Sequence, residues 1–392
     1  MTLKEIIIQN KERNCPICNS NKKKIFFTNT SKVNKTKYSW IFNTNISICK
    51  NCAFVYSSPA PDIKMLNKYY QDGITGYKNI GLPYSFKKRL STVRRYKNKI
   101  GIFLEIGGDD PDFFHSKINK FFSKCLNLDI SNDSKSKLND TNKLVDNYAS
   151  VIAHYDVLEH VVDLNYFLNE CYRLLKLNGY MIIEVPNFRL YPKNLLIQEF
   201  EHVNHFTPFS LTKLLQINGF ELVEINHLSS RPYGFTGIFK KIEYHKINIK
   251  NNYIEYIDSE AILKAGIAKL KDFKSSITSL QKKISKELLK GKNLILWGVT
   301  DLLINFLTAF KNNQSILIVD SDPRRKNHLR DLGFSVSEPK DSINKINSSD
   351  ILIICAPRYF EEIISWTKKY SNFNSQPSNT FILGAENVMT LR

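Results

Sequence analysis

No apolar run in the sequence approaches the roughly 20 residues that a bilayer-spanning helix requires. The opening MTLKEIIIQN has no long apolar core of the kind a signal peptide carries, so a cytoplasmic protein without a membrane span is expected. Acidic residues are in short supply: 37 Asp and Glu stand against 56 Lys and Arg, a formal charge of +19. Such an excess attracts nucleic acid, acidic lipid or phosphorylated substrates. Here it is mostly lysine spread through an Asn- and Ile-rich chain, which fits a phosphate-bearing small substrate better than a polynucleotide. The GxGxxG fingerprint of dinucleotide binding is also missing where it might be sought, at Trp297-Gly-Val-Thr300.

What is present reads as an ordinary globular chain, 42% hydrophobic and 24% charged, long enough for two or three domains. Four of its seven cysteines form two matched pairs, Cys15-Pro-Ile-Cys18 and Cys49-Lys-Asn-Cys52. Each CxxC brings two thiolates to one face of a tight turn, and two such knuckles complete a closed tetrahedral sulfur site, so structural zinc is expected and disulfides are not. Residues 1–60 would form this zinc-binding module, with short strands at Ile25–Phe27 and Tyr38–Phe42 and an extended exit at Ser57–Pro61. A helical linker, 61–100, follows. Its basic stretch Lys87, Lys88, Arg89, Arg94, Arg95 and Lys97 reads as a solvated helix face.

Residues 101–245 carry an α/β pattern. Ile102–Ile106 is an apolar strand that runs into Gly107-Gly108-Asp109-Asp110-Pro111, then a helix with Phe113, Phe114 and Ile118. Glycines there let the backbone approach a ligand closely. The acids at 109 and 110 argue against a pyrophosphate and suit hydroxyls or a positive centre. A second strand, Cys125–Asp129, ends in an acid about 20 residues past the turn, where a ribose would be gripped by its hydroxyls. Ala149–Asn187 is then a buried strand ending in the polar cluster His154, Asp156, Glu159 and His160, an amphipathic helix stopped by Asn178-Gly179, and a second buried strand.

EIGGDDP, LDI and YDVLEHVVDLNYFLNECYRLLKLNGYMIIEVPN together resemble a class I S-adenosylmethionine-dependent methyltransferase. Glu201-His-Val-Asn-His-Phe resembles the EH-x(3)-F segment of sugar methyltransferases, including those that methylate nucleotide-sugars on carbon, a family that also carries an N-terminal zinc-binding domain. The resemblance implies a Rossmann-like methyltransferase domain, S-adenosylmethionine as cofactor beside the zinc, and a sugar or nucleotide-sugar substrate for surface-glycan synthesis. It implies cofactor contacts at Glu105, Gly107, Gly108, Asp109, Asp129, His154 and Asp156. It implies His202 as general base with Glu201 orienting it, and it makes Cys15, Cys18, Cys49 and Cys52 the metal ligands. Three departures stand out: Asp109 replaces the family's Asn, Pro111 replaces its last Gly, and Glu199-Phe200 replaces the Tyr-His of C-methylating relatives. The chain is also short between Asp129 and Val151, with room for one weak helix and a short strand at Lys143–Val145.

Beyond this domain, 246–290 reads as a connecting helix with apolar residues from Ile262 to Leu288, and 291–392 as a second, small Rossmann-like domain with strands at Leu294–Trp297, Ile316–Asp320, Asp350–Cys355 and Thr380–Leu383. In the resembled family such a domain closes over the sugar nucleotide, with Asp320, Arg324 and Arg358 as possible contacts here. Monomer and homodimer both stay open. So do three other functions: O-methylation of another glycan precursor, nucleic-acid binding or RNA modification through the ribbon and the positive charge, and an inactive methyltransferase-like scaffold.

Overall fold

The computed structural model describes residues 4–34, 37–72, 83–108, 111–129, 141–194, 197, 199–227, 229, 233–243, 253–300, 303, 306–310, 315–321, 329, 333–342, 345–347, 349–356, 359–370, 379–383 and 388–390. The chain divides into two compact units, one of Thr2–Pro192 with Leu196–Gly266, the other of Ile267–Arg392 with Lys193–Leu195.

The first unit begins with a sheet longer than the sequence suggests. Lys23–Asn34 (β3) and Tyr38–Cys49 (β4) are twelve-residue antiparallel strands. Lys4–Ile7 (β1) runs parallel to β4, and Val55–Ser57 (β5) continues the sheet antiparallel to β4. Trp40 and Phe42 are fully buried, packed with Ile8 and with Leu66 and Tyr69 of the helix Ile63–Gln71 (α1). Asp72, just past α1, accepts a hydrogen bond from Trp40 Nε1 at 2.7 Å. The Ser57–Pro61 exit is not free: Ala60-Pro61 (β6) pairs with Asn10-Lys11 (β2), and Ser57, Ser58 and Ala60 are buried.

The main sheet of this unit has the order β12-β13-β10-β9-β7-β8. Asn98–Ile106 (β7), Phe122–Leu128 (β8), Ala149–Tyr155 (β9) and Leu175–Pro186 (β10) run parallel, and Phe220–Asn226 (β12) and Gly234–Lys241 (β13) close the edge as an antiparallel pair, β13 antiparallel to β10. Every residue of β9 is buried, as the near-continuous apolar run requires of a central parallel strand. Helices Pro83–Arg95 (α2), Pro111–Ile118 (α3), Leu164–Leu174 (α4) and Pro208–Ile217 (α6, after a short α5 at Tyr191–Asn194) accompany the strands. Thr207 caps α6 with a reciprocal Thr207–Ser210 box.

Two local expectations need correction. Helix α4 stops at Leu174, four residues before Asn178-Gly179, because the ammonium of buried Lys241 donates to the Tyr172 and Leu175 carbonyls at 2.7 Å each and so takes over the helix's unsatisfied C-terminal acceptors. At Lys143–Val145 no strand forms: Thr141–Lys143 is a 3-10 turn, held by Arg173, which donates to Thr141 O and Leu144 O.

The cysteine knuckles and the main sheet share one core. Cys15, Ile17, Cys49, Cys52, Phe54 and Tyr56 pack in the same cluster as Leu158, Leu168, Phe206 and Leu211. Arg13 holds this junction. Its guanidinium donates to Ser57 O at 2.8 Å, Val162 O at 2.6 Å, Val203 O at 2.6 Å and Asn204 Oδ1 at 3.0 Å, and it lies against the Tyr56 ring. Burial pulls its pKa down to about 10, which leaves it charged at neutral pH. Asn204-His205 (β11) adds a further rung by pairing antiparallel with β5.

The second unit takes most of the long helix Tyr253–Leu288 (α7), which Gly291 terminates at φ +83° with its N–H on Leu288 O. Its sheet has the order β16-β15-β14-β17-β18-β19: Val336–Ser337 (β16), Ile316–Val319 (β15), Leu294–Trp297 (β14), Ile351–Ile354 (β17) and Thr380–Leu383 (β18) are parallel, and Val388–Thr390 (β19) is antiparallel. This is the expected Rossmann-like arrangement. Asp320 accepts from the Val299 N–H at 2.7 Å across the β14 turn, while Arg324 and Arg358 lie outside the described residues.

Removing the Arg13 fork leaves buried carbonyls without their donor. Arg13→Ala should destabilise the first unit by about 3 kcal/mol or more, and Arg13→Lys, which keeps the charge but not the fork, should recover only part of it. Urea unfolding checks this; a variant as stable as the parent would contradict it.

Candidate active site

In an open parallel sheet a ligand lies outside the carboxyl ends of the strands, at the point where strand order reverses. The chain goes from β7 to β8 on one side, then returns to place β9 on the other side of β7. The crevice is therefore at the ends of β7 and β9. Gly107 has φ +75°, and a Cβ there would meet Val157 Cγ2 at 2.6 Å. At Gly108 a Cβ would lie 2.7 Å from the Glu105 carboxyl carbon and 2.8 Å from Asn127 Oδ1. The Gly108 N–H donates to Asn127 Oδ1 at 3.2 Å and Asn127 Nδ2 donates back to Gly108 O at 3.3 Å, so the turn lies flat over β8. Glu105 is buried beneath it, 2.9 Å from His115 Nε2. Asp129 follows the end of β8; Asp109 lies outside the described residues. Asn127 and His115 carry no sequence motif: register opposite Glu105 identifies the first, and the packing of α3 on β7 the second.

Asp156 leaves β9 at φ +56°, with its N–H on Glu184 O. Its carboxylate and that of Glu184 are both engaged by Arg89 Nη2, at 3.3 and 2.9 Å, while the guanidinium stacks over Tyr155. Arg89 is thus turned into the sheet end rather than outward. This corrects the expectation of a solvated face for that residue; Lys87 is exposed, as such a face requires. His154 is fully buried within β9, its ring edge-on to Phe167 at 5.4 Å.

Glu159, His160, Glu201 and His202 come together. The 3-10 turn Leu158–His160 starts one residue past Val157, and Glu201 and His202 are brought to it from the segment before β11. The His160 and His202 rings meet edge-on at 4.9 Å. His160 Nε2 faces Glu159 and its Nδ1 faces Glu201, each at 3.9 Å. Tyr69 of α1 donates its hydroxyl to Glu201 Oε1, a partner the sequence pattern does not announce. Tyr70 is buried beside Glu201 and Glu159, and burial together with those charges holds its phenol well above the usual range. His205 instead pairs with Tyr191 at 2.9 Å through Nδ1 and is buried, a structural placement.

Cys15, Cys18, Cys49 and Cys52 converge with all four sulfurs within 4.8 Å of one another, and none is in a disulfide. Asn19 and Ala53 take φ of +56° and +64° to turn each knuckle, and the Asn51 N–H points at Cys49 Sγ at 3.4 Å. Hydrogen bonding among the four sulfurs lowers the Cys18 and Cys49 thiols and raises those of Cys15 and Cys52, so the four act as one set.

A central parallel sheet, a glycine turn tucked over buried acids, and acids at the ends of β8 and β9 make a Rossmann-like nucleotide-type crevice. Residues 81–225 match the family described as methyltransferase domain. That stretch, under half of the chain, is therefore similar to a methyltransferase domain. No functionally curated protein matches the sequence. Similar solved structures include an S-adenosylmethionine-dependent methyltransferase from Archaeoglobus fulgidus, 19% identical over 46% of this chain and 100% of that one, with a TM-score of 0.32. One from Mesorhizobium loti is 12% identical over 38% and 96%, TM-score 0.32. A Haloferax volcanii complex of the Trm112 methyltransferase activator with a putative methyltransferase is 10% identical over 41% and 90%, TM-score 0.35. Likenesses this distant decide nothing about substrate or partner. No helix among the described residues is long and apolar enough to cross a membrane.

The buried ring of His154 has a measurable consequence. Burial lowers its pKa from 6.5 to about 3, so between those values the unfolded chain binds a proton that the folded chain refuses. Its contribution is fully present above pH 6.5 and is lost as pH falls toward 3, by about 1.4 kcal/mol per pH unit. His154→Phe should flatten the fall in stability between about pH 6.5 and pH 4. Parallel pH curves for variant and parent would contradict the assignment.

Proposed function

We propose that the domain transfers a methyl group to a sugar, with a nucleotide-linked sugar for a surface glycan as the substrate, in the cytoplasm. The observation that carries this reading is the meeting of Glu201 and His202 with the Glu159-His160 turn, one residue beyond the Val157 side chain that lies against Gly107. Methyl transfer to a hydroxyl or an enolate needs a base at the acceptor, on the far side of the methyl from its sulfur. Histidine suits that task because its pKa is close to working pH. S-adenosylmethionine, when bound, supplies the electrophilic sulfonium methyl. Glu105, Asp129 and Asp156 offer acceptors to its hydroxyls and amine. His202 takes the acceptor's proton, and Glu201, itself fixed by Tyr69, orients it.

O-methylation is the form this cluster favours. Phe200, at the position where C-methylating relatives carry His, packs on Phe42 at 4.5 Å and completes the α1 core, so it offers no polar group to a keto sugar. The four cysteines hold a structural zinc ion, since four thiolates leave no open coordination position.

Calorimetry should show S-adenosylmethionine binding to the full chain, and no binding at millimolar cofactor would refute the enzyme reading. His202→Ala should keep that binding and lose about 10²–10⁴-fold in turnover on a panel of nucleotide sugars; an unimpaired variant removes His202 from the role. Cys15→Ser or Cys49→Ser should release about one zinc ion per chain and lower the stability of the first unit. Unchanged metal content would rule out the four-thiolate site.

A further inference from the structure

Glu159 and His160 are neighbours in a 3-10 turn, and His202 reaches them from the segment ahead of β11. One ligand atom from each lies within 4.8 Å of the other two. Glu159 is 1% exposed and His202 9%, while the His160 side chain keeps 24%, so the cluster opens on the His160 side only. Both halves of the cluster are held by backbone. The Val203 N–H donates to Glu159 O at 2.8 Å, and Asn204 Nδ2 donates to Leu158 O at 3.1 Å and Val161 O at 2.7 Å. The donors therefore converge because the fold places their main chains together, not because three surface side chains happen to meet.

We infer that Glu159, His160 and His202 form a second metal site, for a borderline divalent ion such as Zn²⁺, Co²⁺ or Ni²⁺. A point central to three donors no more than 4.8 Å apart lies about 2.8 Å or less from each, against about 2.0–2.2 Å for bonds from zinc to histidine nitrogen or carboxylate oxygen. Side-chain movements of under about 1 Å close that gap. Two imidazoles and one carboxylate select against Mg²⁺ and Ca²⁺, which prefer oxygen throughout. His160 has the outer partner that metal-bound histidines use: its Nε2 side faces Glu159, its Nδ1 side faces Glu201, and Tyr69 fixes Glu201 in turn. Three protein donors leave a coordination position open, unlike the closed set of four cysteines.

Metal binding here does not depend on the proposed methyl transfer. One consequence does rest on that reading: an ion takes the His202 lone pair that the acceptor's proton would take, so occupancy of this site and turnover exclude one another.

The test uses the full chain with its cysteine-bound ion in place, titrated with Co²⁺ alone and read by elemental analysis and visible absorption. The parent protein should bind one Co²⁺ more per chain than His160→Gln or His202→Gln, through a band without the sulfur charge-transfer intensity of the thiolate site. Equal ion counts in parent and both variants overturn the site. His160→Gln alters a partly exposed ring, and far-ultraviolet circular dichroism confirms that it folds. Because the count is read without cofactor or acceptor, it stands apart from the turnover of His202→Ala: a second ion with unimpaired turnover in that variant supports this site while removing the base.

Discussion

One buried guanidinium joins the parts of the first unit that chemistry needs together. Arg13 comes two residues before Cys15, yet its hydrogen bonds end on β5, on the turn after His160, and on the segment that carries His202. A planar fork with several fixed donors can satisfy carbonyls from three separate segments at once, which a lysine cannot. Arg13 lies two residues before the first knuckle, and its fork ends on the carbonyls of Val162 and Val203, close in sequence to His160 and His202. That is why the cysteine cluster and the main sheet share a hydrophobic core instead of forming separate bodies.

The same logic places the crevice. Gly107 can turn only because it lacks a side chain, and the space so gained is filled by Val157, which begins the path to Glu159 and His160. The glycine turn and the Glu159-His160 cluster are thus adjacent through one short stretch of chain. On the other flank Arg89 bridges Asp156 and Glu184 at the sheet end, anchoring α2 where it borders the crevice.

Much of this was legible from residues alone, for local reasons. The CxxC spacing dictates paired thiolates, β9 reads as a buried strand because every residue in Val151–Ala153 is apolar, and Gly107-Gly108 after an apolar strand marks a turn that meets a ligand. Glu201 and His202 were found through resemblance to a family, and the fold then brought them to His160. What stayed hidden depends on long-range pairing. Lys241 ends α4 early from nearly seventy residues away, Arg89 looks like one more solvated base until Glu184 meets it, and Tyr69 gains meaning only beside Glu201. The full burial of His154 was likewise hidden, because a polar residue near a strand's end gives no sign in the sequence of which way the pleat turns it.

The central claim, that the cysteine cluster and the His160–His202 pair are one mechanical unit, is tested most directly by amide hydrogen exchange across residues 199–206 in protein prepared with and without the zinc ion proposed for the four cysteines. The Val203 N–H donates to Glu159 O, the Ser57 N–H donates to Val203 O, and β11 pairs with β5. Loss of the metal should therefore speed exchange at Ser57 and Val203–His205 together with the knuckles, while Ile182 and Ile183 in the central sheet stay protected. Exchange that quickens at the knuckles and leaves Val203–His205 unchanged would contradict it.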